Sequence, residues 1–240
     1  MTHRPKGWWV LHLWSNSERG ASMIVMKFGG TSVENHTAIN RVADIVLGRL
    51  DERPVVVVSA MAGVTDALLA MSSAAASGSL PEALKLLRKV RQRHLAVLSV
   101  LVSGPSEATV RVEVQALLDS TQDVLRGISA LGELTPRSVD NILAVGELLS
   151  SRIVSAALAA RGINSVLVDS RHCIVTDATH TRAVPLFDRT CDRLRYHVKP
   201  LLQANQVPGW VVSSERLPRV YPPPSAGEGR TSRLPSSARR

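Results

Sequence analysis

The chain has 240 residues, 45% of them hydrophobic and 20% charged, with a formal net charge of +9 at pH 7. That is length enough for one substantial core, and two cysteines, Cys173 and Cys191, supply neither a disulfide framework nor metal-ligand spacing. The charge is uneven: residues 1–22 carry a net +2 and residues 209–240 a net +4, which leaves +3 for residues 23–208, an ordinary value that does not call for nucleic acid as a partner.

The ends differ from the middle in other ways. All four tryptophans (Trp8, Trp9, Trp14, Trp210) lie in them. Residues 1–22 read as a non-native extension produced by a start codon placed too far upstream, with Met23 or Met26 the true beginning. The run Trp8–Trp14 is short, contains His12 and is followed by Glu18 and Arg19, unlike a secretory leader. Elsewhere no apolar run approaches membrane-spanning length, and the seven histidines show no pairing suited to zinc. The expectation is a cytoplasmic protein with reduced thiols, no resident metal and no membrane partner.

Along the chain, Met23–Val33 (MIVMKFGGTSV) reads as a buried strand that turns sharply into a helix, with Lys27 at the turn. Gly29 and Gly30 let backbone N–H groups approach a ligand. A helix start behind Thr31 and Ser32 would present free N–H groups and a positive dipole end to an anion, and Lys27 adds a mobile point charge. The lysine precedes the glycines, so this is not a P-loop. Ala38–Leu50 has a helical apolar face, and Val55–Asp66 (VVVVSAMAGVTD) is a second buried strand ending in a loop with Ser59, Gly63 and Thr65. A short helix is expected near Ala67–Ser73. A long one follows from Pro81 towards Leu101 and another over about Glu107–Leu131, the pair forming an excursion without a ligand-type cluster. Val145–Ser150 (VGELLS) places Glu147 at the start of an apolar helix running to Ala160, where a carboxylate can cap the helix or bind an ammonium group. A strand over Ile163–Val168, a short one at Cys173–Val175 and a helix over Leu186–Asn205 complete the pattern. Apolar strands alternating with helices predict an α/β fold with a mostly parallel sheet sandwiched by helices.

The segments KFGGTSV, SAMAGVTD and GELLS, in that order, together with IVTDATHTRA at Ile174–Ala183, resemble aspartate kinase, a member of the amino-acid kinase family. The resemblance runs from about Met23 to about Pro208, the N-terminal portion of that family's domain. It implies transfer of the γ-phosphoryl group of ATP to the side chain of L-aspartate, with Mg²⁺, in lysine, threonine and methionine biosynthesis. It also implies that Lys27 is catalytic and binds phosphate together with Gly29, Gly30, Thr31 and Ser32. Ser59, Thr65 and Glu147 would bind the amino acid, Glu147 through its ammonium group, and a homo-oligomer is allowed. Another amino-acid kinase, acting on glutamate or a nucleotide, is the nearest rival; SAMAGVTD and GELLS favour aspartate.

After Pro208 the resemblance stops. The family's G-G-F-I-G and T-T-L-G-R-G-G-S-D segments are replaced by residues 209–240, with five prolines and six arginines, a composition expected to be disordered. Back-translated with chosen wobble bases and shifted by one base, Pro222–Arg233 encodes T-T-L-G-R-G-G-S followed by D-F-S, and Trp210–Glu215 permits G-G-F-I-G. The tail therefore reads as family sequence in the wrong frame, and the chain as inactive for want of its nucleotide-binding half. The alternative is a non-catalytic fragment serving as a dimerising or ligand-binding remnant.

Overall fold

The computed structural model describes residues 23–175 and 186–211. The expected N-terminal extension, the segment Thr176–Ala183 and the tail beyond Val211 lie outside the described residues. Four strands, β1 (Ile24–Phe28), β2 (Pro54–Val58), β3 (Ser165–Asp169) and β4 (Val207–Val211), form a wholly parallel sheet in the order β1-β2-β4-β3. Between them run α1 (His36–Leu47), α2 (Val64–Ala76), α3 (Leu80–Leu101), α4 (Gly104–Leu131), α5 (Pro136–Ala160), a single turn α6 (Ser170–Cys173), α7 (Phe187–His197) and α8 (Lys199–Gln203).

The sheet has a helical layer on each face, as a parallel sheet requires. On one face the side chains of Val56, Val58 and Val207 join Ile39, Val42, Leu68, Leu149 and Ile153 in the main core. On the other, Val55 and Val168 pack with Cys173, Val198 and Leu202 from α6 to α8. β2 is consequently apolar throughout, whereas β1, at the sheet's edge, leaves Val25 58% exposed and Lys27 open to solvent.

Several expectations need correction. The helix expected directly behind Thr31 and Ser32 is only a 3-10 turn, Gly30–Val33. The first α-helix starts at His36, where the Asn35 side chain caps it by accepting from the Ala38 N–H at 2.9 Å. Glu147 is not at a helix start: α5 begins at Pro136, behind a Thr135 cap that accepts from the Ser138 N–H, and Glu147 sits in its middle. Cys173 ends a helical turn rather than opening a strand. The helix expected over Leu186–Asn205 is two, because the chain bends at Val198 before Pro200, which fits only the first turn of a new helix. β4 runs on through Gly209 to Val211, three residues into the segment expected to be disordered, because β2 and β3 supply hydrogen-bonding partners on both sides. α5 is also long and apolar enough to cross a membrane by length and composition, contrary to expectation, but most of that stretch is buried inside the fold. Its apolar character is that of a central core helix.

α3 and α4 are no excursion. They pack against α2 and α5 and contribute Leu87, Val90, Leu98, Val114, Leu118 and Leu125 to the main core. α5 approaches the β2–α2 loop and α2 so closely that a Cβ on Gly146 would stand 2.8 Å from the Ala60 Cβ and 3.2 Å from Leu68 Cδ1.

That contact yields a paired prediction. Replacing a glycine inside a helix by alanine ordinarily stabilises by about 0.5–1 kcal/mol. Gly127→Ala in α4, with no atom within 4 Å of the added Cβ, should show that gain in urea unfolding. Gly146→Ala should lose stability, because overpacking costs roughly 1–3 kcal/mol and outweighs the helical gain.

Candidate active site at the carboxyl ends of β1 and β2

Ligands of open parallel sheets bind beyond the carboxyl ends of the strands, and the candidate residues gather there. β1 and β2 run in register, Lys27 beside Val57 and Phe28 beside Val58, so the chain leaves the sheet twice at neighbouring points. The two exits are joined by main-chain hydrogen bonds: Ser59 N–H donates to the Phe28 carbonyl at 3.1 Å and Ala62 N–H to the Gly30 carbonyl at 3.1 Å. Gly30 makes this approach sterically feasible, since a Cβ there would lie 2.9 Å from the Ala60 carbonyl oxygen. Gly63, at φ +75°, then turns the second loop into α2.

The structure brings together Lys27, Gly29, Gly30, Thr31 and Ser32 from the first loop with Ser59 from the second. Lys27, Gly29 and Thr31 are exposed, whereas Gly30, Ser32 and Ser59 are half-buried. Thr65 lies on the first turn of α2, exposed. The Ser32 N–H is engaged by the Gly29 carbonyl at 2.9 Å, so it is not a free anion donor in this turn.

Glu147 reaches the same region from α5. Burial pushes its carboxyl up to about 7, and the Lys27 ammonium pulls it back down. Its Oε2 is buried without a hydrogen-bonding partner. An unpartnered buried carboxylate oxygen is costly to the fold, and a cationic ligand group would offset that cost.

Sequence reasoning missed what holds Glu147 and the loops in place. Ser150, fully buried one turn further along α5, donates its hydroxyl to the Ser59 carbonyl at 2.7 Å. Gly146 and Ser150 both lie in the quoted VGELLS segment, and a glycine in mid-helix is a signal of close packing. Arg93 of α3 also reaches the site, donating from Nη1 to the Ala62 carbonyl at 2.7 Å and from Nη2 to the Glu34 carbonyl at 2.9 Å. Its local sequence carries no sign of that role. Among the described residues no group of three or more His, Cys, Asp or Glu side chains could hold a metal ion.

The protonation of Glu147 gives a stability prediction with a fixed sign. Its ordinary value is 4.5 and its folded value about 7, so the folded state binds this proton more tightly than the unfolded chain. The group favours the fold most below pH ~4.5, and that contribution is lost as pH rises through ~7. Unfolding free energy measured across that range should fall less steeply in Glu147→Gln than in the parent. Lys27→Met should move the Glu147 titration, followed by carboxyl NMR, further upward.

The amino acid kinase family model matches residues 22–209. Aspartokinase 2, chloroplastic, of Arabidopsis thaliana is 37% identical over 136 residues, which is 56% of this chain and 24% of that protein. Lysine-sensitive aspartokinase 3 of Escherichia coli (strain K12) is 34% identical over 165 residues, 69% of this chain and 35% of that protein. The crystal structure of E. coli aspartokinase III in complex with aspartate and ADP superposes with a TM-score of 0.69 at 29% identity, covering 79% of this chain and 40% of that one. The chain thus spans well under two thirds of the length of each of these relatives. With a matching family model over most of its length and the same parallel sheet and helical layers, the chain belongs to the amino acid kinase family.

Proposed function

We infer that the chain is the amino-acid-binding portion of an aspartate kinase, an enzyme transferring the γ-phosphoryl group of ATP to the side-chain carboxylate of L-aspartate to give 4-phospho-L-aspartate and ADP. The observation that carries this reading is the convergence of Lys27 and the half-buried Glu147, with its unpartnered Oε2, on the rim shared by β1 and β2. The aspartokinase structure bound to aspartate and ADP supports it as an analogue of similar fold.

In this reading Glu147 pairs with the ammonium group of aspartate, and that contact replaces solvent lost on burial. Ser59 and Thr65 hydrogen-bond the amino acid at the edge of the second loop. Lys27 neutralises phosphate oxygens as charge shifts during transfer, a role that depends on position and charge. Gly29, Gly30, Thr31 and Ser32 shape the phosphate-facing turn. The described residues offer no carboxylate cage for Mg²⁺; the ion would arrive held by the nucleotide's own phosphates and water and supply charge neutralisation there. Cys173 and Cys191 are both free, in keeping with a reducing cytoplasmic compartment.

Residues 23–208 form the family portion in this proposal, and residues 209–240 carry family sequence displaced by one base. The 240-residue chain should therefore bind L-aspartate and turn over little of it. Calorimetry should show aspartate affinity rising as pH increases towards ~7 and levelling above it, as Glu147 ionises, with Glu147→Ala abolishing the dependence. Absence of aspartate binding at pH 8 would overturn the reading.

Resequencing of the region encoding Val207–Trp210 tests the frame, and shifting it by one base should produce an enzyme that phosphorylates aspartate with Mg-ATP. In that enzyme Lys27→Ala should chiefly lower kcat and Glu147→Ala chiefly raise KM for aspartate. Clear aspartate-dependent ADP release by the 240-residue chain, lost in Lys27→Ala, would instead make that chain an active enzyme as it stands.

A further inference from the structure

Arg93 lies on α3, outside every sequence segment that points to the site, yet its guanidinium fork ends between the two loops that build it. Nη1 donates to the Ala62 carbonyl at 2.7 Å and Nη2 to the Glu34 carbonyl at 2.9 Å. Glu34 closes the 3-10 turn that follows the paired glycines, and Ala62 precedes the left-handed Gly63. The Ala62 residue is therefore held from both ends, its N–H by the Gly30 carbonyl at 3.1 Å and its C=O by Arg93.

We propose that Arg93 is a positioning residue that sets the separation between the phosphate-facing turn and the amino-acid-facing loop; the functional part of this inference rests on the aspartate kinase reading above. Three physical features support it. A planar fork with donors in fixed directions can bridge two carbonyls at once, which a lysine ammonium does less well. Both acceptors are main-chain groups, so the fork fixes backbone positions rather than another mobile side chain. And α3 is anchored in the main core by Leu87, Val90 and Leu98, so the brace transmits the rigidity of the helical layer to two loops outside regular helix or strand. Its charge is not what tunes Glu147, whose shift comes from burial and Lys27. Arg93 acts through geometry, as supporting residues of a preorganised site do.

The test compares Arg93→Met and Arg93→Lys with a control on the same helix, Arg91→Met, which removes the Arg91–Asp119 ion pair (2.7 Å) and touches neither loop. Amide hydrogen exchange is followed by NMR in the 240-residue chain without ligand. In Arg93→Met, exchange at Ala62 should speed up by roughly tenfold, the scale expected for loss of a charge-assisted hydrogen bond, while the core amides of α3 keep their protection. Arg93→Lys, retaining one of the two bonds, should fall between, and it decides the matter should Arg93→Met fail to fold. Arg91→Met should leave Ala62 unchanged.

Titration with L-aspartate then reads the functional consequence: affinity per folded molecule should drop in Arg93→Met, recover in part in Arg93→Lys and stay at the parent value in Arg91→Met. Unchanged Ala62 exchange in both Arg93 variants, or exchange that rises equally throughout α3, would overturn the brace. Faster loop exchange with unaltered aspartate affinity would overturn its role in ligand positioning. A parent chain that binds no aspartate would sink the aspartate kinase reading while leaving the exchange result to judge the brace alone.

Discussion

The site depends on two main-chain hydrogen bonds that join neighbouring loops where β1 and β2 end, Ser59 to Phe28 and Ala62 to Gly30. They extend the logic of the parallel ladder beyond the sheet, and they require that nothing bulky separate the loops. Gly30 meets that requirement from one side and Gly146 from behind, each at a spacing that a methyl group would violate. Ser150 then fastens the second loop to α5 through the Ser59 carbonyl. The positions of Lys27, Ser59 and Glu147 relative to one another are consequences of this stapling rather than of contacts among those three side chains.

Electrostatics works against the fold at the same place. Glu147 is drawn out of water by the close approach of α5, and the rise of its carboxyl to about 7 shows that Lys27 offsets only part of the loss. A buried polar atom left without a partner is normally eliminated from a stable core. Its presence here, on a group that Lys27 also influences, marks Glu147 as a candidate ligand-binding group.

The fold class and most element positions were legible because the strands are apolar runs and the helices keep a clear period. Boundaries failed where tertiary contacts decide them. Nothing local in VGELLS reveals that α5 began a full segment earlier, since the sequence from Pro136 onwards lacks strong breakers and its Thr135 cap is a single hydroxyl. The turn after Gly30 is held short by its bonds to the second loop, and Asn35 instead starts the helix. The candidate site residues could be named from motifs, whereas Arg93 could not, because its contacts with the two loops depend on where a distant helix packs. The sequence predicts no strand over Val207–Val211, because Pro208 and Gly209 interrupt the strand signal of Val207, Trp210 and Val211; the slot between β2 and β3 supplies hydrogen-bonding partners on both sides.

The strand order has a consequence for the order of assembly. β3 has no described neighbour except β4, and β4 comes last in chain order among the described strands while being inserted between β2 and β3. Until β4 emerges, the nascent chain can pair β1 with β2, while β3 lacks the one neighbour described for it. Closing the sheet therefore joins residues far apart in sequence, the kind of non-local step that slows folding and exposes strand edges. A few residues around Gly209, at the boundary where the family resemblance ends, thus decide whether the described strands become one sheet or two unconnected pieces.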